Sequence, residues 1–184
     1  MQNPVYIPRM LEKLGDSAFA NIVAIFLGVC LLSAMAQISI HLPYTPVPAT
    51  GQTFGVTLTA LLWGRKRGMA VMGVYLALGA LGLPIFASGM SGLLLGPTLG
   101  YLIGMFFAAL LMGTLSDRAW SQKFHTAMGA AVLGSIVVFG FGLVGLSFFI
   151  PKAQLLSAGL IPFLPGDFLK DLIASQIAYR FNSK

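Results

Sequence analysis

Residues 17–64 read SAFANIVAIFLGVCLLSAMAQISIHLPYTPVPATGQTFGVTLTALLWG and contain no Asp, Glu, Lys or Arg. A helix on the surface of a soluble protein keeps one charged face, so a run this long without charge has no side suited to water. Two further stretches, 68–116 and 124–151, are equally free of charge, and 155–179 adds a shorter apolar segment. A bilayer core about 30 Å thick takes roughly 20 helical residues per crossing. The first two stretches therefore hold two spans each, and the third holds one. The whole chain agrees: of 184 residues 57% are hydrophobic and 9% charged, against roughly 25% charged in soluble domains. Five acids and eleven bases cannot cover the surface of a soluble protein of this length. The fold class expected is an all-α membrane protein embedded in the lipid bilayer.

The double stretches are divided by sequence that helices reject. Pro43, Pro46 and Pro48 each remove an amide donor and turn the preceding residue away from helical angles, so 41–51 is extended or turning. Gly89, Gly92, Gly96, Pro97 and Gly100 divide the second stretch in the same way. Six spans result, at about 18–40, 53–64, 68–86, 98–115, 127–150 and 166–180, forming one domain over 1–184.

Lys and Arg set the orientation through their preference for cytoplasmic loops. With the N-terminus inside, Arg9, Lys13, Arg65, Lys66, Arg67, Arg118, Lys123, Arg180 and Lys184 are cytoplasmic, and only Lys152 lies in an external loop. Both termini are expected in the cytoplasm, and the segments 41–52 and 87–97 share the external face. Rich in Gly, Pro, Ser and Thr, these loops suit caps over a ligand cavity, although plain connectors remain an alternative. The net charge of +6 is scattered in small groups and does not form the patch of a nucleic-acid binder.

Asp167, Lys170 and Asp171 are the charges left inside a span, and their spacing puts them on one face of the last helix. Charged groups at such depth face a partner or a watery cavity. Asp167 and Lys170 can serve a ligand as acceptor and donor; alternatively they form a local pair, with Asp167 capping the helix start. Tyr44, Phe54, Tyr75, Phe86 and Tyr101 are available as cavity walls or as ordinary packing. Gln52 and Thr53 either cap the second helix or point into the site. Ala20, Ala24 and Gly28 make a small-residue stripe that allows close helix approach, inside the bundle or on a partner. Cys30 reads as a small buried hydrophobe. His41 and His125 lie at opposite faces and cannot share a metal, and no phosphate-binding loop is encoded.

Four motifs in order carry a family resemblance: Pro46-Val47-Pro48-Ala49-Thr50-Gly51-Gln52-Thr53-Phe54, Gly79-Ala80-Leu81-Gly82-Leu83-Pro84-Ile85-Phe86, Gly92 to Tyr101, and Pro165-Gly166-Asp167-Phe168-Leu169-Lys170. Over 46–173 the chain resembles the BioY family, the biotin-binding S components of bacterial energy-coupling factor (ECF) transporters. The resemblance implies a six-helix bundle that binds biotin at its external end beneath the loops after the first and third helices. It implies ligand contacts from Asp167 and Lys170, from Gln52 and Thr53, and from the loop of Gly96, Pro97, Thr98, Gly100 and Tyr101; Tyr75 is a further expected ligand contact. It implies docking on a transmembrane T subunit through Ala20 and Ala24, two ATPase partners, and residence in the bacterial cytoplasmic membrane. No catalysis, metal or cofactor is implied. The rival readings are an S component for another vitamin and an intramembrane enzyme using Asp167 and Asp171.

Overall fold

A computed structural model describes residues 5–13, 17–92 and 95–183. It is all-helical apart from one two-residue strand pair: α1 (Tyr6–Lys13), α2 (Ala18–Gln37), β1 (Ser39–Ile40), β2 (Ala49–Thr50), α3 (Gln52–Ala80), α4 (Leu99–Asp117), α5 (Phe124–Leu146), α6 (Leu155–Gly159) and α7 (Leu164–Asn182). Among the described residues, α2, α4 and α5 are long and apolar enough to cross a membrane. Large side chains such as Phe19, Phe26, Leu27, Ile136, Val144 and Phe168 are exposed, a surface that a water-soluble monomer does not tolerate.

The Ser17 Oγ caps α2 by accepting from the Ala20 amide at 3.1 Å. The helix ends at Gln37, short of the expected residue 40, because Ser39 and Ile40 pair with Thr50 and Ala49 as antiparallel strands. One face of α2, through Ala24, Gly28, Leu32 and Ala36, is buried in the bundle. Cys30 is exposed on the other side rather than buried as expected. In hydrocarbon an outward face is as apolar as an inward one, so composition does not distinguish the two.

The second and third spans expected from sequence are the two arms of α3. The reversal occurs at Gly64, whose φ of 72° suits glycine, and not over 65–67, which are helical. A Cβ at Gly68 would come 3.3 Å from the Ala60 Cα, so the arms fold directly onto each other. The first arm, 52–63, is about 18 Å long at 1.5 Å per residue, short of a full crossing. The second arm stops at Ala80 instead of 86. Gly82 (φ 105°) donates to Gly79 O and Leu83 donates to Leu78 O, a Schellman ending followed by Pro84. The helix at the fifth expected span, α5, runs 124–146 rather than 127–150. The last spans 164–182 rather than 166–180, with Pro165 in its first turn, where a missing amide costs nothing.

The reversal deprives the Leu61 carbonyl of its helical partner, the amide of Arg65. That amide donates to Asp117 Oδ2 at 3.3 Å, while Leu61 O accepts from Ser116 Oγ at 2.7 Å and Asn182 Nδ2 at 3.1 Å. Buried backbone groups need such substitutes. The Tyr6 amide donates to Asn182 Oδ1 at 2.6 Å, and Arg9 Nη2 donates to Phe181 O at 2.8 Å. α1, the α3 reversal, the end of α4 and the end of α7 thus meet at one end of the bundle. The strand pair, the segment after α3 and the start of α7 lie at the other.

Candidate ligand cavity

The second end holds a cavity of about 60 Å³. Val47, Pro48 and Thr50 come to it from the first loop, and Phe86, Ala87 and Met90 from the second; both loops therefore line it. Gln52 and Thr53 enter from the start of α3, Thr98, Tyr101, Leu102 and Met105 from α4, and Val138 and Phe139 from α5. Phe163, Asp167 and Lys170 complete the wall. A mostly apolar lining with a few convergent polar groups is the usual make-up of a small-molecule site.

Lys170 is its electrostatic centre. Its Nζ donates to Thr53 Oγ1 at 2.7 Å and to Thr50 O at 3.1 Å, and lies 3.7 Å from Asp167 Oδ1. Its side chain is 27% exposed, that of Asp167 only 6%. A charge at the centre of a membrane helix costs about 2.5–3.5 kcal/mol on insertion scales, which ties such groups to partners or cavities. Here both are satisfied at once. The ion-pair alternative for Asp167 is therefore part of the site; Asp167 stands in the first turn of α7, at the positive end of its dipole, but the cap position is Phe163 and carries no side-chain bond. Neither Gln52 nor Thr53 caps α3 through its side chain, since Gly51 holds that position.

Gln52 links the two loops. Its Oε1 accepts from Thr50 Oγ1 at 3.1 Å, and its Nε2 donates to Tyr75 Oη at 2.7 Å; Tyr75 in turn donates to Ile85 O at 3.1 Å. Tyr75 is thus fully buried one layer behind the cavity and does not line it, contrary to expectation. Its ring supports Phe86 edge-on, with centroids 5.3 Å apart. Among the described residues of that motif, Gly96 and Pro97 also lie off the lining, and Thr98 and Tyr101 reach it. The Tyr101 hydroxyl donates to Gly159 O at 2.7 Å, so its ring is what the cavity meets. Of the other expected aromatics, Phe86 lines the cavity, Tyr44 is 62% exposed, and Phe54 is half-buried outside the lining. Two side-chain ties join the second loop to the end of α2 and to β1. Ser39 Oγ and Ser88 Oγ are 2.7 Å apart, and Gln37 Nε2 donates to Phe86 O at 3.2 Å.

Sequence reasoning missed Phe163, Val138, Phe139, Met90, Leu102 and Met105. Apolar residues in apolar helices carry no mark of facing a cavity rather than a neighbour. Asp171 does not join the cavity despite sharing a helix face with Asp167. A second crevice of about 450 Å³ runs between α5 and α7 and is lined by Asp171 and Ser135; Asp167 and Phe139 form the wall it shares with the cavity. In the small-residue stripe, Ala24 is buried and its carbonyl accepts from the Trp63 indole at 2.9 Å, while Gly28 abuts Val71. Those two pack within the bundle, and Ala20 is half-buried.

The fold is that of an ECF-type S component. A crystal structure of the S component for biotin from an ECF-type ABC transporter superposes with a TM-score of 0.82 at 28% identity, covering 89% of this chain and 91% of that one. The family model of the BioY family matches residues 10–184, and the chain belongs to that family. A biotin transporter BioY of Thermotoga maritima is 38% identical over 144 residues, 77% of this chain and 84% of that protein. A biotin transporter BioY of Lactococcus lactis subsp. cremoris is 30% identical over 184 residues, 96% and 93% of the respective chains.

Proposed function

We propose that this chain is the biotin-capturing S component of an ECF-type transporter and takes up biotin across the cytoplasmic membrane. It carries out no catalysis. The observation that carries the reading is the acceptor–donor pair of Asp167 and Lys170, 3.7 Å apart at the wall of an otherwise apolar cavity. Biotin offers adjacent N–H and C=O groups on its ureido ring, an apolar bicycle and chain, and a distant carboxylate. The close pair suits the ureido end, with Asp167 accepting from an N–H and Lys170 donating to the carbonyl. Phe86, Tyr101, Phe139 and Phe163 then enclose the bicycle, and Gln52, Thr53 and Thr98 border it.

A cavity of about 60 Å³ is below the roughly 300–1,000 Å³ of sites for such ligands. Binding in this reading starts with the second loop moving away from the end of α2 and β1, which breaks the Ser39–Ser88 and Gln37–Phe86 ties. In this reading the chain makes six passes, with the two α3 arms as separate passes and both termini cytoplasmic. The end that gathers Arg9, Arg65, Lys66, Arg67, Arg118 and Arg180 is the cytoplasmic one. Delivery depends on a T subunit, contacted at Ala20 with Ala24 beneath it, and on two ATPases.

The test is competition of bound labelled biotin by unlabelled biotin and by other vitamins. Displacement by biotin alone is expected. Equal displacement by a different vitamin would support the alternative S-component specificity.

A further inference from the structure

Asp171 is only 2% exposed and belongs to no part of the ligand cavity, yet it is the most connected carboxylate of the last helix. Its Oδ2 accepts from Ser135 Oγ at 2.9 Å and its Oδ1 from Thr57 Oγ1 at 3.5 Å. Those hydroxyls stand on α5 and α3, so one side chain of α7 joins three helices.

The geometry is more specific than a general tie. Thr53 and Thr57 are four residues apart on α3, one turn along the same face. Thr53 Oγ1 accepts from Lys170 and Thr57 Oγ1 donates to Asp171. Two consecutive residues of α7 thus grip two hydroxyls at different heights on α3. A single polar bond between two helices lets one pivot or slide about it, whereas two bonds a turn apart define register and rotation together. Ser135 adds a third point from the opposite side. Breaking these bonds would leave buried polar groups without partners, so the arrangement is held once formed.

We propose that Asp171 is a positioning residue for Lys170: by locking α7 against Thr57 and Ser135, it holds the ammonium where it meets both Thr53 and the ligand. The proposal rests on the reading that Lys170 contacts biotin. Without the lock, Lys170 becomes the main polar tether between α7 and α3 at the cavity end, the Asn182–Leu61 bond lying at the other end of the bundle, and its charge must serve as anchor and ligand donor at once.

The experiment is a double-mutant cycle. Biotin affinity is measured by titration calorimetry for the wild-type chain, Asp171→Leu, Lys170→Ala and the double variant, with the thermal unfolding of each ligand-free protein alongside. Asp171→Leu is expected to weaken binding about tenfold in the wild-type background and less than about twofold in the Lys170→Ala background, since residues acting through one another are non-additive. Asp171→Asn, which retains an acceptor, is expected to recover most of the affinity. A merely structural role predicts equal losses in both backgrounds, following the unfolding temperature. Additive losses, or wild-type affinity in Asp171→Leu, would overturn the proposal. Should Asp171→Leu not fold, the Ser135→Ala, Thr57→Val double variant takes its place in the same cycle with the same expected outcomes. Absence of biotin binding by the wild-type chain would instead contradict the cavity reading.

Discussion

The two ends of this bundle solve the same problem, unpaired polar groups in an apolar protein, in opposite ways. At the basic end the broken helix at Gly64 leaves backbone groups that are met by Asp117, Ser116 and Asn182, and these bonds draw α1, α3, α4 and α7 together. At the other end Lys170 and Asp167 sit at the wall of a cavity, and two serines and a glutamine hold the second loop to the end of α2 and β1. Buried, multiply bonded groups resist separation, whereas a few hydroxyl contacts at a loop surface separate at little cost. In the proposed reading one end stays assembled and the other opens and closes around a ligand.

The strongest way to break this contrast is to lock the opening end. Cysteines at Ser39 and Ser88, in a Cys30→Ala background, should form a disulfide in the ligand-free protein. Biotin binding is expected to disappear on oxidation and return with reductant; retained binding in the oxidised protein would show that the loops need not part. Next in size, Lys170→Ala removes the site's cation and should weaken biotin binding about 100-fold, near 2.7 kcal/mol, with the unfolding temperature little changed. Asn182→Ala probes the other end: losing two buried hydrogen-bond partners should destabilise the protein by about 2 kcal/mol in chemical or thermal unfolding, with biotin affinity intact. An affinity loss there would show that the ends are coupled. The smallest effect is expected from Tyr75→Phe, which cuts the Gln52–Tyr75–Ile85 relay behind the cavity and should cost about 1 kcal/mol of binding.

Much of this architecture is legible in the order of residues because charge is so scarce. The charge-free runs mark the helices, the proline-rich and glycine-rich breaks mark the two loops, and Asp167 with Lys170 marks the cavity by being out of place in a span. Other features depend on tertiary partners. Glycine at 64 permits the positive φ of the reversal, but that the basic triplet after it stays helical rests on Asp117 and Asn182 meeting the freed backbone. Tyr75 and Tyr101 are both aromatic residues of apolar helices, yet only one faces the cavity, because the space left by Gly79 draws Phe86 inward and places its ring over Tyr75. Asp171 looks equivalent to Asp167 at a spacing of four, but Ser135 and Thr57, unremarkable hydroxyls in sequence, claim it for helix packing. The outward position of Cys30 had no signal, because lipid and protein interior ask for the same side chains.

Calorimetric titration of the purified chain with biotin tests the central claim most directly, run on the wild type, Asp167→Asn and Lys170→Ala. Saturable one-to-one binding by the wild type, strongly weakened in both variants, is the expected result. Equal affinity in all three proteins would contradict the assignment of this cavity as the biotin site.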